Sequence, residues 1–113
     1  MDLPCYLAGR SVRSRQRITV KSPYTGEVAG TVPSLGRNET EEAVAAARAA
    51  TSRLSRYERH AVLSRARSLL EKRATAFARL ITLESGLCLR DTIYEVGRAS
   101  DVLHFAAMEA LFV

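Results

Sequence analysis

Between Gly36 and Gly86 the chain carries neither glycine nor proline. A stretch that long without either helix breaker favours long helices packed on one another. Within it, Leu63, Ala66, Leu70, Ala74, Phe77 and Ile81 recur in steps of three and four, the spacing of a single helix face. Arg59, Arg65, Ser68, Lys72, Thr75 and Arg79 fill the opposite side. Such a stripe holds its helix by burial against another element, because tertiary packing outweighs intrinsic propensity. The pattern specifies architecture and names no chemistry.

Boundaries within the helical stretch follow from capping residues. Asn38 with Glu41 three residues on reads as a first helix start, and the run Ala43 to Ala50 is expected to pack closely beneath another element before Thr51 and Ser52 end it. Ser55 with Glu58 reads as a capping box opening the central helix, which is expected to bend or break near Arg73 and to stop at Gly86. Asp91 is the expected cap of a last helix whose buried face is Ile93, Val96, Ala99, Leu103, Ala106 and Ala110, with Gly97 admitting a close neighbour. The apolar end Leu111-Phe-Val113 has no cap or polar tail and reads as a fold that continues.

Residues 1–36 hold Pro4, Pro23 and Pro33 together with Gly9, Gly26, Gly30 and Gly36. They read as strand and turn. Ile18–Lys21 and Glu27–Val32 flank Ser22-Pro-Tyr-Thr-Gly26, a pattern for a hairpin with a bulge after its turn, and a further short strand is expected over Tyr6–Ala8. The expected fold is thus a short N-terminal β-hairpin region over 1–36, followed by about four α-helices over 37–113, mostly α.

At 113 residues, with 47% hydrophobic and 26% charged residues, the chain matches one modest globular domain or a piece of one. Its net charge of +5 raises a nucleic-acid or acidic-ligand partner. Against that, the arginines are spread along outward faces, aromatic residues are only 6%, and no basic and aromatic platform is interleaved. Cys5 and Cys88 are far apart and fit no metal-ligand spacing, with His60 and His104 the only imidazoles. There is no apolar run of about eighteen residues for a membrane span, and no secretory signal. Arg10, Arg13, Arg15 and Arg17 mimic a transit peptide, but Pro4 and Gly9 interrupt any amphipathic helix there. A cytoplasmic protein is expected, with no membrane partner and no nucleic acid.

Five pieces in order, Ser22-Pro-Tyr-Thr-Gly-Glu-Val28, Ala43-Val-Ala-Ala-Ala-Arg-Ala-Ala50, Arg59, Leu69-Leu-Glu71 and Leu83-Glu-Ser-Gly86, resemble the N-terminal segment of the aldehyde dehydrogenase superfamily. The resemblance implies an α/β fold in which these helices pack against an NAD(P)-binding domain. It also implies oxidation of an aldehyde to a carboxylate and a homo-oligomer, with aldehyde substrate and NAD or NADP as the partners of the full-length enzyme. The stretch Glu84 to Val102 further resembles the phosphonoacetaldehyde dehydrogenase branch, which uses NAD, with succinate-semialdehyde and phosphoglyceraldehyde enzymes as the alternatives to it. In that branch Arg90 or Arg98 would be the cations available to a phosphonate.

The family's G-Q-x-C nucleophile, E-L-G-G-K base, P-W-N oxyanion asparagine and cofactor loop have no counterpart here, for tryptophan is absent and Asn38 lies at a helix entry. No catalytic, cofactor-binding or metal residue is therefore carried onto this chain, and alone it is expected to be inactive and to bind no cofactor. Cys88 reads as a buried small hydrophobe, His60 and His104 as structural, and Glu84 and Glu95 as helix-terminal or interhelical partners. The competing reading is a small standalone basic helical module, nucleic-acid binding included. On either reading the helical stripes outsize the hairpin, so the chain is expected to expose apolar surface and to self-associate.

Overall fold

The computed structural model describes residues 1–50 and 54–112, which fall in two compact units, Met1–Ser52 and Arg53–Val113. The first unit opens with strands β1 (Cys5–Leu7) and β2 (Arg10–Val12), an antiparallel pair. Only the first of these was expected. Their two-residue turn, Ala8-Gly9, has positive φ at both positions, 49° and 77°. That is the twist a tight hairpin needs, reached here without the usual Asn-Gly signal.

The second hairpin pairs β3 (Arg17–Lys21) with β4 (Val28–Pro33). Its register jumps from Val20 opposite Gly30 to Lys21 opposite Val28, so Ala29 is the extra residue of a bulge directly after the turn, as the sequence suggests. Gly26 closes the turn with φ 73°, and its amide donates to the Ser22 carbonyl at 2.8 Å. Ser22 is buried, and its hydroxyl accepts from the Thr25 amide. The far edge of β4 receives the chain's own start: Thr31 donates to the Met1 carbonyl and Leu3 donates to the Thr31 carbonyl. Gly30 makes this possible, because a Cβ there would sit 2.9 Å from the Met1 carbonyl oxygen.

Helix α1 (Arg37–Ala49) completes the unit. Its cap is Gly36, not Asn38: the Glu39 carboxylate accepts from the Gly36 amide at 2.9 Å, and the Thr40 hydroxyl donates to the Gly36 carbonyl. The expected partner of Asn38 is engaged elsewhere, since Glu41 takes the Arg37 guanidinium at 2.7 Å. The alanine run is not covered by another element of its unit, for only Ala46 among residues 43–50 is even half-buried. The expected stop at Thr51 and Ser52 lies outside the described residues.

The second unit holds α2 (Arg56–Lys72), α3 (Ala74–Ser85) and α4 (Leu89–Glu109), with α2 and α3 both lying against α4. Ser55 caps α2 through the reciprocal box with Glu58, at 3.3 Å to the Glu58 amide and 2.7 Å back to the Ser55 amide. The break falls at Arg73, with φ −113° and ψ 12°, and Gly86 ends α3 at φ 75°. Three of the sequence-based boundaries are therefore met. The fourth differs: α4 is capped at Cys88, whose carbonyl accepts from the Asp91 and Thr92 amides, and Asp91 sits inside the first turn.

The core of this unit is made of small side chains. Ala78, Thr92, Val96, Ser100, Ala107 and Ala110 are buried, while the stripe Leu63, Ala66, Leu70, Ala74 and Ile81 is half-buried and Phe77 is exposed. On α4 Val96 and Ala110 are buried and Leu103 half-buried as expected, but Ile93, Ala99 and Ala106 are exposed while Thr92, Ser100 and Ala107 are buried in their place. Gly97, expected to admit a close neighbour, meets nothing within 4 Å.

Candidate functional site

Polar groups converge at three places along the α4 seam. Arg67 and Glu71, one turn apart on α2, meet Ser100 of α4: Arg67 Nε donates to Glu71 Oε1 at 2.9 Å and to Ser100 Oγ at 3.2 Å, and Ser100 Oγ donates to Glu71 Oε1 at 2.8 Å. These residues rim a cleft of about 380 Å³ whose apolar wall includes Ala74, Ile93 and Val96. Further along, the Thr92 hydroxyl lies 3.0 Å from Leu89 O and 3.0 Å from Thr82 Oγ1. A carbonyl can only accept, so the single proton of Thr92 goes to Leu89 and Thr82 donates to Thr92.

The third place is the C-terminal end of α4. His60 Nδ1 lies 2.7 Å from Ala107 O, which fixes the proton on Nδ1, and Ser64 Oγ stands 3.4 Å from Nε2. Helix ends leave four carbonyls without intrahelical donors. Here Ala106 receives the Ala110 amide, Met108 the Leu111 amide and Glu109 the Phe112 amide, so His60 supplies the donor for the one left over.

The first of these clusters is not poised for acid catalysis. The Ser100 hydroxyl holds the Glu71 carboxyl below its ordinary range, aided by the Arg67 guanidinium and opposed by desolvation. A carboxylate held ionised cannot serve as a general acid near neutrality, and Ser100 has spent its proton on it. The arrangement is a set of ties between helices. Glu58 is likewise lowered, first by the Ser55 hydroxyl and then by the Ser55 amide, as a helix cap and nothing more.

Cys88 is exposed at the α4 cap, which corrects its reading as a buried hydrophobe, and Cys5 is half-buried with its thiol 3.7 Å from Pro33 O. His104 is exposed beside Phe105, with ring centroids 5.9 Å apart. Glu95 pairs with Arg98 at 3.4 Å along α4, and Arg90 lies 3.6 Å from Asp91. Among the described residues no group of three or more His, Cys, Asp or Glu is placed to hold a metal, and no helix is long and apolar enough to cross a membrane. Sequence reading missed the Arg67, Glu71 and Ser100 triangle. The i,i+4 pair on α2 was visible, but a serine on the α4 face gave no sign of facing it.

Over most of its length the chain is similar to one part of longer proteins. The chain is 37% identical over 97 residues to the lactaldehyde dehydrogenase of Methanococcus aeolicus, covering 83% of this chain and 21% of that protein. It is 39% identical over 107 residues to malonate-semialdehyde dehydrogenase 2 of Geobacillus kaustophilus, covering 90% and 22%. Its fold superposes on the crystal structure of the NAD-dependent aldehyde dehydrogenase from Sinorhizobium meliloti with a TM-score of 0.92 and 29% identity, over 100% of this chain and 24% of that one. The chain thus spans about a fifth of the length of the curated relatives it matches. Residues 10–112 match the aldehyde dehydrogenase family itself, and the chain belongs to that family.

Proposed function

We propose that these 113 residues form the N-terminal part of the NAD(P)-binding domain of an aldehyde dehydrogenase, and that they contribute packing surface and no reacting group. The observation that carries this is the superposition of the whole chain on about a quarter of a larger enzyme. The internal ties described above support the same reading, because every convergent polar group is spent on joining helices. The full enzyme oxidises an aldehyde to a carboxylate with NAD or NADP and works as a homo-oligomer in the cytoplasm. Two unpaired cysteines are in keeping with that reducing compartment.

The substrate we propose is a short aldehyde bearing a second acidic group, phosphonoacetaldehyde among them. Support comes from the stretch Glu84 to Val102 and from a relative named for malonate semialdehyde, whose substrate carries a carboxylate. The test has two arms. The purified chain, mixed with phosphonoacetaldehyde or malonate semialdehyde and either nicotinamide, should give no absorbance at the reduced-cofactor band above blank; turnover would overturn the assignment of a silent segment. Reading the gene downstream of Val113 should show an open frame with P-W-N, E-L-G-G-K and G-Q-x-C. A stop codon with no such motifs would instead favour a free-standing basic helical module.

A further inference from the structure

Residues 1–3 close the outer edge of β4, and they are held there differently from the hairpin beneath. Asp2 lies opposite Thr31 in a parallel bridge. The Thr31 amide donates to the Met1 carbonyl at 2.8 Å, the Leu3 amide to the Thr31 carbonyl at 3.0 Å, and the Met1 nitrogen to the Ala29 carbonyl at 3.1 Å. Neighbouring residues of a strand turn their amides to opposite edges. The Thr31 amide therefore reports contact with this segment, while the Val32 amide faces Ile18 of β3.

Side chains supply the rest of the hold. Strand alternation puts Arg17 of β3, Thr31 of β4 and Asp2 on one face. Arg17 reaches across β4, where its Nη2 meets Asp2 Oδ1 and lies 3.3 Å from Thr31 O, and its Nε donates to Thr31 Oγ1 at 3.2 Å. The Thr31 hydroxyl donates to Asp2 Oδ1 at 2.9 Å, since a carboxylate can only accept. The three side chains form a closed ring in which each meets both others. Only Asp2 belongs to the segment, so Arg17 and Thr31 stay joined within the hairpin when it leaves.

We infer that residues 1–3 are a strap over the edge of β4 that opens and closes without melting the hairpin, and that the Asp2 carboxylate is its clasp. Unpaired strand edges invite other extended chain, and covering them is a common protection. Closed, the strap occupies the Thr31 amide and carbonyl; open, it frees both. The ladder between β3 and β4 keeps its own bonds in either state, so opening costs only what the strap itself contributes. All of these contacts lie within Met1–Ser52, and the strap does not depend on the proposed activity.

Amide hydrogen exchange of the full chain, followed residue by residue by nuclear magnetic resonance, tests it. In the wild type the Leu3 and Thr31 amides should exchange together, on the order of tenfold faster than the Val32 amide. Asp2→Ala should speed both by about fivefold, the worth of one ion pair with its hydrogen bond, and leave Val32 unchanged. In an Arg17→Ala background the same substitution should do less, because half the clasp is already gone. Gly30→Ala, which sets a Cβ 2.9 Å from the Met1 carbonyl oxygen, should speed the same two amides with the clasp intact. Leu3 and Thr31 exchanging in step with Val32, in the wild type or in either of the Asp2 and Gly30 variants, would show segment and hairpin opening as one and overturn the strap. An Asp2→Ala chain indistinguishable from wild type, or an effect as large without Arg17, would overturn the clasp.

Discussion

The two units are held by different physics. Met1–Ser52 is stitched by backbone ladders: two tight hairpins, the bulge at Ala29, and the chain start laid against β4, with Leu7 the only buried large aliphatic side chain among its described residues. Arg53–Val113 is held by close approach of helices, and its buried residues are small or hydroxylated so that α2 and α3 can reach α4. A ladder tolerates changes of side-chain bulk as long as its turns keep their angles. A seam of alanines, by contrast, has no spare volume, and its buried hydroxyls must keep their partners. Sensitivity to volume should therefore separate the two.

The largest effect should come from adding bulk to the seam. Ala78 is fully buried on α3, and Ala78→Leu should destabilise the second unit by about 3 kcal/mol, near the upper end for overpacking. The same change at the half-buried Ala46 of α1 should stay within about 0.5 kcal/mol, the usual range for surface positions. Urea unfolding followed by far-ultraviolet circular dichroism compares them directly. Equal costs at the two sites would erase the distinction.

Backbone angle comes next, and it should matter in both units. Gly86 and Gly26 hold φ of 75° and 73°, so alanine at either should cost about 1–2 kcal/mol. In thermal melts the helical signal should report the first strongly and the second weakly. The cap of α2 ranks third: Ser55→Ala removes the hydroxyl that accepts from the Glu58 amide, for about 1 kcal/mol.

The smallest effect is a shift in pH response at the Arg67, Glu71 and Ser100 triangle. The folded state lowers the Glu71 carboxyl from its ordinary 4.5. A depressed carboxyl contributes stability that is present above the unfolded value and lost as pH falls through the folded one. This contribution of Glu71 should thus fall away as pH drops below 4.5, and Ser100→Ala should raise the acid-unfolding midpoint slightly. Because Glu71 is exposed, the shift should be small and should shrink with added salt. An unchanged acid midpoint in the variant would remove Ser100 as the cause.

What could be read beforehand was whatever depends on near neighbours in sequence. The Ser55 box, the break at Arg73, the stop at Gly86 and the bulged hairpin around Gly26 are set within a few residues, and all were legible. The start of α1 was misread because Gly36 and Asn38 both precede a glutamate by three, and only the Arg37 to Glu41 pair decides between them. The buried face of α4 was only partly legible, with Val96 and Ala110 foreseen and the rest misread for a different reason. Thr92 and Ser100 look like surface residues until Thr82, Leu89 O, Arg67 and Glu71 are placed around them, and a hydropathy pattern holds no record of such partners. The candidate clusters were illegible on the same ground, since His60 meets Ala107 across 47 residues of chain.

In the proposed function this segment is scaffold, with its convergent polar groups engaged in helix packing and no cofactor site among the described residues. Titrating the isotopically labelled chain with NAD and with NADP, and following every backbone amide by nuclear magnetic resonance, tests it most directly. The account predicts no saturable shift at any residue up to millimolar cofactor. A saturable set of shifts clustered on Arg67, Ser100 and the α4 wall of their cleft would contradict it.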